Sequence, residues 1–312
     1  MHRFCFCVLA ALVLATVGGA PAVAYPVSHV DDRCRDVAVS EPPTRIVSLL
    51  PFYVEILLDL TGVAPIVGIG DSPDNPAQVA GVASVGPAFS ASREAIVALE
   101  PDLVLGASDF NGLRGSLEAA GVTVFTVGCF AGERDFGAIR GHADVMQAIR
   151  ALAVLTTGDA STAAPLLDRI AARLAQIAVD VRGRTRPTVA VLYPDPSGVA
   201  PPSVAGLLTP EHAAIEAAGG RLAFDHQGYA PISTEQIVLI DPAFVIADPS
   251  RVADLLTESR FAGLQARRND HVCGVAASRW TSSHIDETVL LLAALLHPRA
   301  VREAPSVAAC RG

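Results

Sequence analysis

Two glutamates stand at equivalent places in two copies of one motif. Residues 92–105 read SREAIVALEPDLVL and residues 233–246 read STEQIVLIDPAFVI. Each copy has a Ser suited to capping a helix, a glutamate two residues on (Glu94, Glu235), a short amphipathic helix and an acidic-Pro break. An apolar run suited to a buried strand ends each copy. A carboxylate in a first helical turn is stabilised by the helix dipole, and that alone could account for both residues. Their duplication also implies two lobes of similar build, and facing lobes make a cleft in which a small ligand can bind.

The aromatic residues supply the second set of candidates. Phe52 and Tyr53 follow the first strand expected, and Phe89 lies in the loop before the first repeat copy. Tyr193 ends the strand that opens the second half, Tyr229 lies six residues before Glu235, and Trp280 follows the last strand. Rings at strand ends of open α/β sheets face the ligand crevice and can stack on a planar or bulky ligand. The plainer reading of each is a half-buried core ring. Arg279, beside Trp280, and Arg114 are cations that could meet an anionic ligand, or surface residues in water. His226 and His284 could ligate a metal; for His284, at a helix start, a solvent-facing cap position is the simpler reading.

Other chemistry finds no support. There is no GxSxG, HExxH or P-loop, and Gly68-x-Gly70 lacks the third glycine of a dinucleotide turn. No His-rich loop suggests a carrier of bare metal ions. The formal charge of -9 and a pI near 5.3 exclude a nucleic-acid partner that needs a basic stripe. All 23 basic residues are arginine, a bias that fits GC-rich coding.

The elements that must position these residues alternate strand and helix, the pattern of a parallel α/β fold. Residues 1–24 read as a signal peptide: a short basic start, an apolar run and the small-x-small site Ala22-Val23-Ala24. No lipobox cysteine sits at the cut, so a soluble periplasmic product is expected. Residues 25–42 form an extended lead-in, 43–158 an N-terminal lobe, 159–183 one long connecting helix, 184–298 a C-terminal lobe and 299–312 a tail. The connecting helix carries an apolar stripe and would span about 35 Å at the usual rise. Cys34, Cys129, Cys273 and Cys310 follow the signal and allow three pairings in an oxidising compartment. Cys34–Cys310, near the two ends, is the first pairing expected, with Cys129–Cys273 to follow.

Together RIVSLLPFYVEILLDLTG (45–62), SREAIVALEPDLVLG (92–106), STEQIVLIDPAFVIAD (233–248) and RFAGLQARRNDHV (260–272) resemble the Fe/B12 periplasmic-binding domain family. Its members serve ABC importers of iron-siderophores, haem and vitamin B12. The resemblance spans roughly 43–298 and implies a class III architecture, two Rossmann-like lobes joined by one long helix, with little hinge motion. It further implies that Glu94 and Glu235 meet arginines of an inner-membrane permease dimer, and that Tyr229 matches a cleft aromatic of the B12 binders. The expected ligand contacts are Phe52, Tyr53, Phe89, Tyr193, Tyr229, Arg279 and Trp280. The family's Thr-Glu after the first strand is Val54-Glu55 here, and the loop 86–91 lacks the Trp of the B12 binders. Ferric-siderophore therefore leads the expected cargoes, followed by cobalamin or another corrinoid, then haem. No resident cofactor, no enzymatic activity and a monomer are expected. A secreted enzyme or a sensor on the same frame is the reading of a different class.

Overall fold

A computed structural model of the chain describes residues 25–106, 112–130, 133–134, 139–193 and 201–301. The expected signal peptide, most of the tail and Cys310 lie outside the described residues. The lead-in is a β-hairpin, β1 (Val27–Val30) paired antiparallel with β2 (Asp36–Val39).

The N-terminal lobe follows as β3 (Ile46–Ser48), α1 (Pro51–Thr61), β4 (Ile66–Asp71), β5 (Ala83–Pro87), α2 (Arg93–Ala98), β6 (Leu103–Leu105), α3 (Leu113–Ala119) and β7 (Val124–Phe125). Its sheet runs β5-β4-β3-β6-β7 with every pair parallel. Every residue of β3 and β6 is buried, as a parallel strand covered on both faces requires. A short antiparallel pair, β8 (Cys129–Phe130) and β9 (Glu133–Arg134), precedes α4 (His142–Thr157) and α5 (Ala164–Asp180).

The C-terminal lobe is β10 (Thr188–Tyr193), β11 (Ser203–Ala205), α6 (Pro210–Ala217), β12 (Arg221–Leu222), β13 (Tyr229–Pro231), α7 (Thr234–Ile240) and β14 (Phe244–Ala247), then α8 (Val252–Thr257), α9 (Gln265–Arg268), β15 (Val272–Gly274) and α10 (Ile285–Leu296). Its sheet runs β13-β11-β10-β14-β15, with β12 also beside β10. Strands β10, β14 and β15 are parallel, and β11 runs antiparallel to both its neighbours, β10 and β13.

The repeat is a structural one. Ser92 caps α2 by accepting from the Ala95 N–H at 3.1 Å, and Ser233 caps α7 by accepting from Gln236 at 3.2 Å. At or just past the end of each helix stands the acidic residue before proline, Glu100 and Asp241, each with φ near +45°. The following strands, β6 and β14, pair in parallel with the first strand of their own lobes.

The joining helix differs from expectation. Gly158, with φ +74°, stops α4, and a 3₁₀ turn at Ala160–Ala163 starts a new direction. The segment expected to join the lobes is therefore α5, only about 25 Å long, and its main contacts are with α10 and α6 of the C-terminal lobe. Helix α4 touches both lobes, against α1 on one side and α6 on the other.

The cysteine pairing is also corrected: Cys34 is bonded to Cys129, not Cys310. Cys273, expected to pair with Cys129, is disulfide-bonded as well. The physical reason lies in the hairpin, whose turn folds back onto the N-terminal lobe. Arg114, read as a cation for an anionic ligand or as a surface residue, is neither: it lies there and is 1% exposed. Its guanidinium pairs with Asp31 and Asp32 in the hairpin turn and, at 3.0 Å, with Glu118. Burial raises the Asp31 carboxyl, but hydrogen bonds from Arg35 and the Arg114 charge outweigh it and hold the group below its usual range. Replacing Arg114 by Leu takes the cation away from Asp32 and leaves Asp31 to Arg35 beside an apolar side chain. Urea denaturation is expected to show a loss of about 3 kcal/mol; a loss below about 1 kcal/mol would mean that the disulfide and strand packing suffice without the cluster.

Candidate functional site

In both sheets, the parallel strands all end at one edge, where open α/β sheets bind ligands. The loops leaving those edges meet across the lobes. Asp74, after β4, accepts from the Ser278 N–H at 3.3 Å, and Ser278 belongs to the turn Ala277–Trp280 after β15. One turn of chain later, the Ser283 hydroxyl donates to Asp59 of α1 at 2.5 Å. His284 Nε2 lies 3.8 Å from the same carboxylate.

A cavity of about 400 Å³ opens at this junction. Glu55, Asp59 and Asp74 line it from the N-terminal lobe, and Arg279, His284 and Glu287 from the C-terminal lobe. Four carboxylates thus face one guanidinium, and Arg279 is itself 3.6 Å from Glu287. Burial pushes the Glu55 carboxyl above its usual range, against the opposing pull of a Ser282 hydrogen bond and the charges of His284 and Arg279. One Glu55 oxygen has no hydrogen-bond partner among the described residues.

A second cavity of about 370 Å³ lies on the other side of the 277–280 turn, lined by Tyr193, Glu211, Tyr229 and Trp280. Both phenol hydroxyls donate to Glu211, which is 2% exposed. The two tyrosine rings meet edge-on with centroids 5.7 Å apart. Tyr229 keeps 54% of its surface open, while Trp280, though it lines the cavity, is 2% exposed.

The expected site residues divide accordingly. Tyr193, Tyr229 and Trp280 come together around one cavity, and Arg279 and His284 line the other. Tyr53 does not reach a cleft: it is fully buried, and its oxygen accepts from the Val127 N–H at 2.8 Å, because the turn of helix after β3 directs it into the core. Phe52 is half-buried with its ring 3.9 Å from that of Tyr53, and neither it nor the exposed Phe89 lines these cavities. The His226 ring lies 3.4 Å from the Val204 carbonyl, away from both. Glu94 and Glu235 are exposed at their helix starts, and hydrogen bonds from its own backbone and from Ser233, with help from Arg260, hold the Glu235 carboxyl low.

Glu211, Asp59 and Asp74 were missed by sequence reasoning. Thr209-Pro210-Glu211 signals a helix start, and Thr209 does cap α6, but nothing local says that this particular acid is buried between two phenols.

The chain matches the model of the periplasmic binding protein family over residues 46–277. It belongs to that family. A cobalamin-binding protein of Halobacterium salinarum is 31% identical over 274 residues, covering 80% of this chain and 70% of that one. An uncharacterized ABC transporter substrate-binding lipoprotein of Bacillus subtilis is 32% identical over 108 residues, 33% of this chain and 34% of its own. Among solved structures, an Fe3+-hydroxamate transport protein of Saccharomonospora viridis superposes with a TM-score of 0.74 at 24% identity, covering 88% of this chain and all of the other. A periplasmic heme-binding protein of Pseudomonas aeruginosa gives 0.69 at 22% identity, covering 83% and 94%. Both have the fold of this chain. The family is one of extracytoplasmic substrate-binding proteins of transporters rather than enzymes. No helix among the described residues is long and apolar enough to cross a membrane.

The raised Glu55 carboxyl has a consequence for this periplasmic binding protein. An acid whose folded-state pKa is raised stabilises the fold below its ordinary value of 4.5 and loses that contribution as pH rises through the folded value. Glu55→Gln keeps a hydrogen-bonding group and removes the ionisation. Thermal melts are expected to show the variant more stable than the parent at pH 7 to 8, with the gap closing towards pH 4. A gap that widens on acidification would contradict the burial argument.

Proposed function

We propose that this protein captures a neutral or cationic metal chelate, a corrinoid in the first instance, between its lobes and delivers it to the permease of an ABC importer. The observation that carries this reading is the charge of the cleft. Four carboxylates and one already paired arginine repel the polyanionic catecholate and carboxylate siderophores, which would need free cations. A corrinoid presents a periphery of uncharged amides around a central cation, and aromatic faces such as Tyr229 offer it apolar contact. The relative named for cobalamin binding supports the same cargo. A ferric hydroxamate without net negative charge meets the same electrostatic condition and is the second cargo to test.

Delivery rests on Glu94 and Glu235, exposed at equivalent helix starts on separate lobes, where two arginine-bearing surfaces of a permease could grip them. The lipoprotein relative's description as an ABC transporter substrate-binding protein supports such a partner. A carrier of this kind binds without turnover, which separates it from an enzyme on the same frame.

Cargo is tested by thermal shift with cobalamin, cobinamide, a ferric hydroxamate, a ferric catecholate and haemin. At a hundredfold excess over Kd, a bound ligand stabilises by about 2.7 kcal/mol. A corrinoid shift with none from the catecholate is expected; a shift with the catecholate or haemin alone would overturn the charge argument. Docking is tested with Glu94→Ala/Glu235→Ala. Corrinoid affinity is expected to stay within about twofold, as for surface changes far from a site, while uptake through the reconstituted importer is lost. Reduced affinity with intact uptake would remove both glutamates from the docking role.

A further inference from the structure

The second cavity carries a device that the charge argument does not use, and the inference from it rests on the corrinoid reading. Glu211 lies in the first turn of α6, after the Thr209 cap and Pro210, where the positive end of the helix favours a carboxylate. Two phenols converge on it from different strands. The Tyr229 hydroxyl lies 2.9 Å from Oε2 and 3.1 Å from Oε1, and the Tyr193 hydroxyl donates to Oε1. A phenol has a single O–H. Both are spent on Glu211, so each phenol oxygen has only lone pairs left for anything entering the cavity. The Thr281 hydroxyl is turned to the Ser278 carbonyl at 3.4 Å, and Trp280 supplies an apolar wall. The Ser203 hydroxyl at the rim can turn either way.

We propose that Glu211 sets the hydrogen-bond polarity of this cavity, holding Tyr193 and Tyr229 as acceptors so that it selects a ligand edge bearing N–H donors, the side-chain amides of a corrinoid, over a carboxylate edge or a ligated iron. A carboxylate edge would set lone pair against lone pair, and a buried acceptor left without a donor is costly. Iron ligation by tyrosinate would require a phenol to ionise. Burial first, and then the Glu211 charge, push both phenols up and away from that state. Glu211 is thus a positioning residue that acts through the two tyrosines.

The test compares cobinamide with its monocarboxylate, in which one side-chain amide is replaced by a carboxylate. Wild-type protein is expected to favour the amide form by about tenfold, the scale of one buried acceptor left unpaired. In Glu211→Gln, the new amide must donate to one phenol, whose own O–H is then released into the cavity. The amide-to-carboxylate preference should collapse or invert, with cobinamide affinity falling about tenfold. Tyr229→Phe removes one acceptor without changing charge, and should weaken the amide form while gaining nothing for the carboxylate. Equal losses for both ligands in Glu211→Gln would reduce Glu211 to a structural role and overturn the proposal. So would a tyrosinate-to-iron charge-transfer band when wild-type protein is mixed with haemin. Corrinoid binding with an unchanged preference would remove only this inference. No corrinoid binding by wild-type protein would remove the cargo reading and this inference together.

Discussion

Each lobe depends on one constraint, the parallel pairing of its opening strand with the strand of its repeat copy. Strands β3 and β10 lie inside their sheets with their middle residues fully buried. Backbone N–H and C=O groups at such depth must be paired within the sheet, and both faces must be covered by helices. Parallel pairing then sends the connections between those strands back across the sheet and gathers their outgoing loops at one edge. Those loops hold Asp74 and the 277–280 turn. The first cavity exists because the two loop-bearing edges face each other, while the second is lined from the C-terminal lobe alone.

The lobes are held in that posture by groups that are themselves costly to bury. Asp59 and Asp74 accept from the 278–283 segment, while one oxygen of Glu55 stands nearby without a hydrogen-bond partner among the described residues. Crowding carboxylates around one arginine lowers the stability of the empty protein. A cation or a ring of amide donors would recover part of that cost on entry. The arrangement fits a binding site better than a structural joint, since a joint built for stability would use apolar contact or balanced pairs. Helix α4 supplies the apolar contact, packing on α1 and α6 together, and leaves the polar junction to the ligand.

The hairpin before β3 is fastened differently. Its turn carries Asp31, Asp32 and Cys34, which meet Arg114 and Cys129 of the N-terminal lobe. A short hairpin buries too little apolar surface to hold its own place, and the ion cluster and disulfide make up the difference. Arg114 thereby serves stability rather than recognition.

The sequence by itself determined the repeat, the Ser caps, the acidic-Pro breaks, the parallel α/β class and the family, because these are written in local spacing and side-chain type. It placed Tyr193, Tyr229, Trp280 and Arg279 near a cleft, since strand ends can be read from the apolar runs. It could not tell Tyr53 from Phe52: adjacent residues entering a helix point about 100° apart, and only the packing of α1 decided which ring is core. It could not pair the cysteines, because loop closure depends on where the hairpin folds back. Nor could it single out Glu211 among many helix-start acids. Its burial under two phenols, brought from β10 and β13, is a product of sheet order alone, and only the tertiary structure decided it.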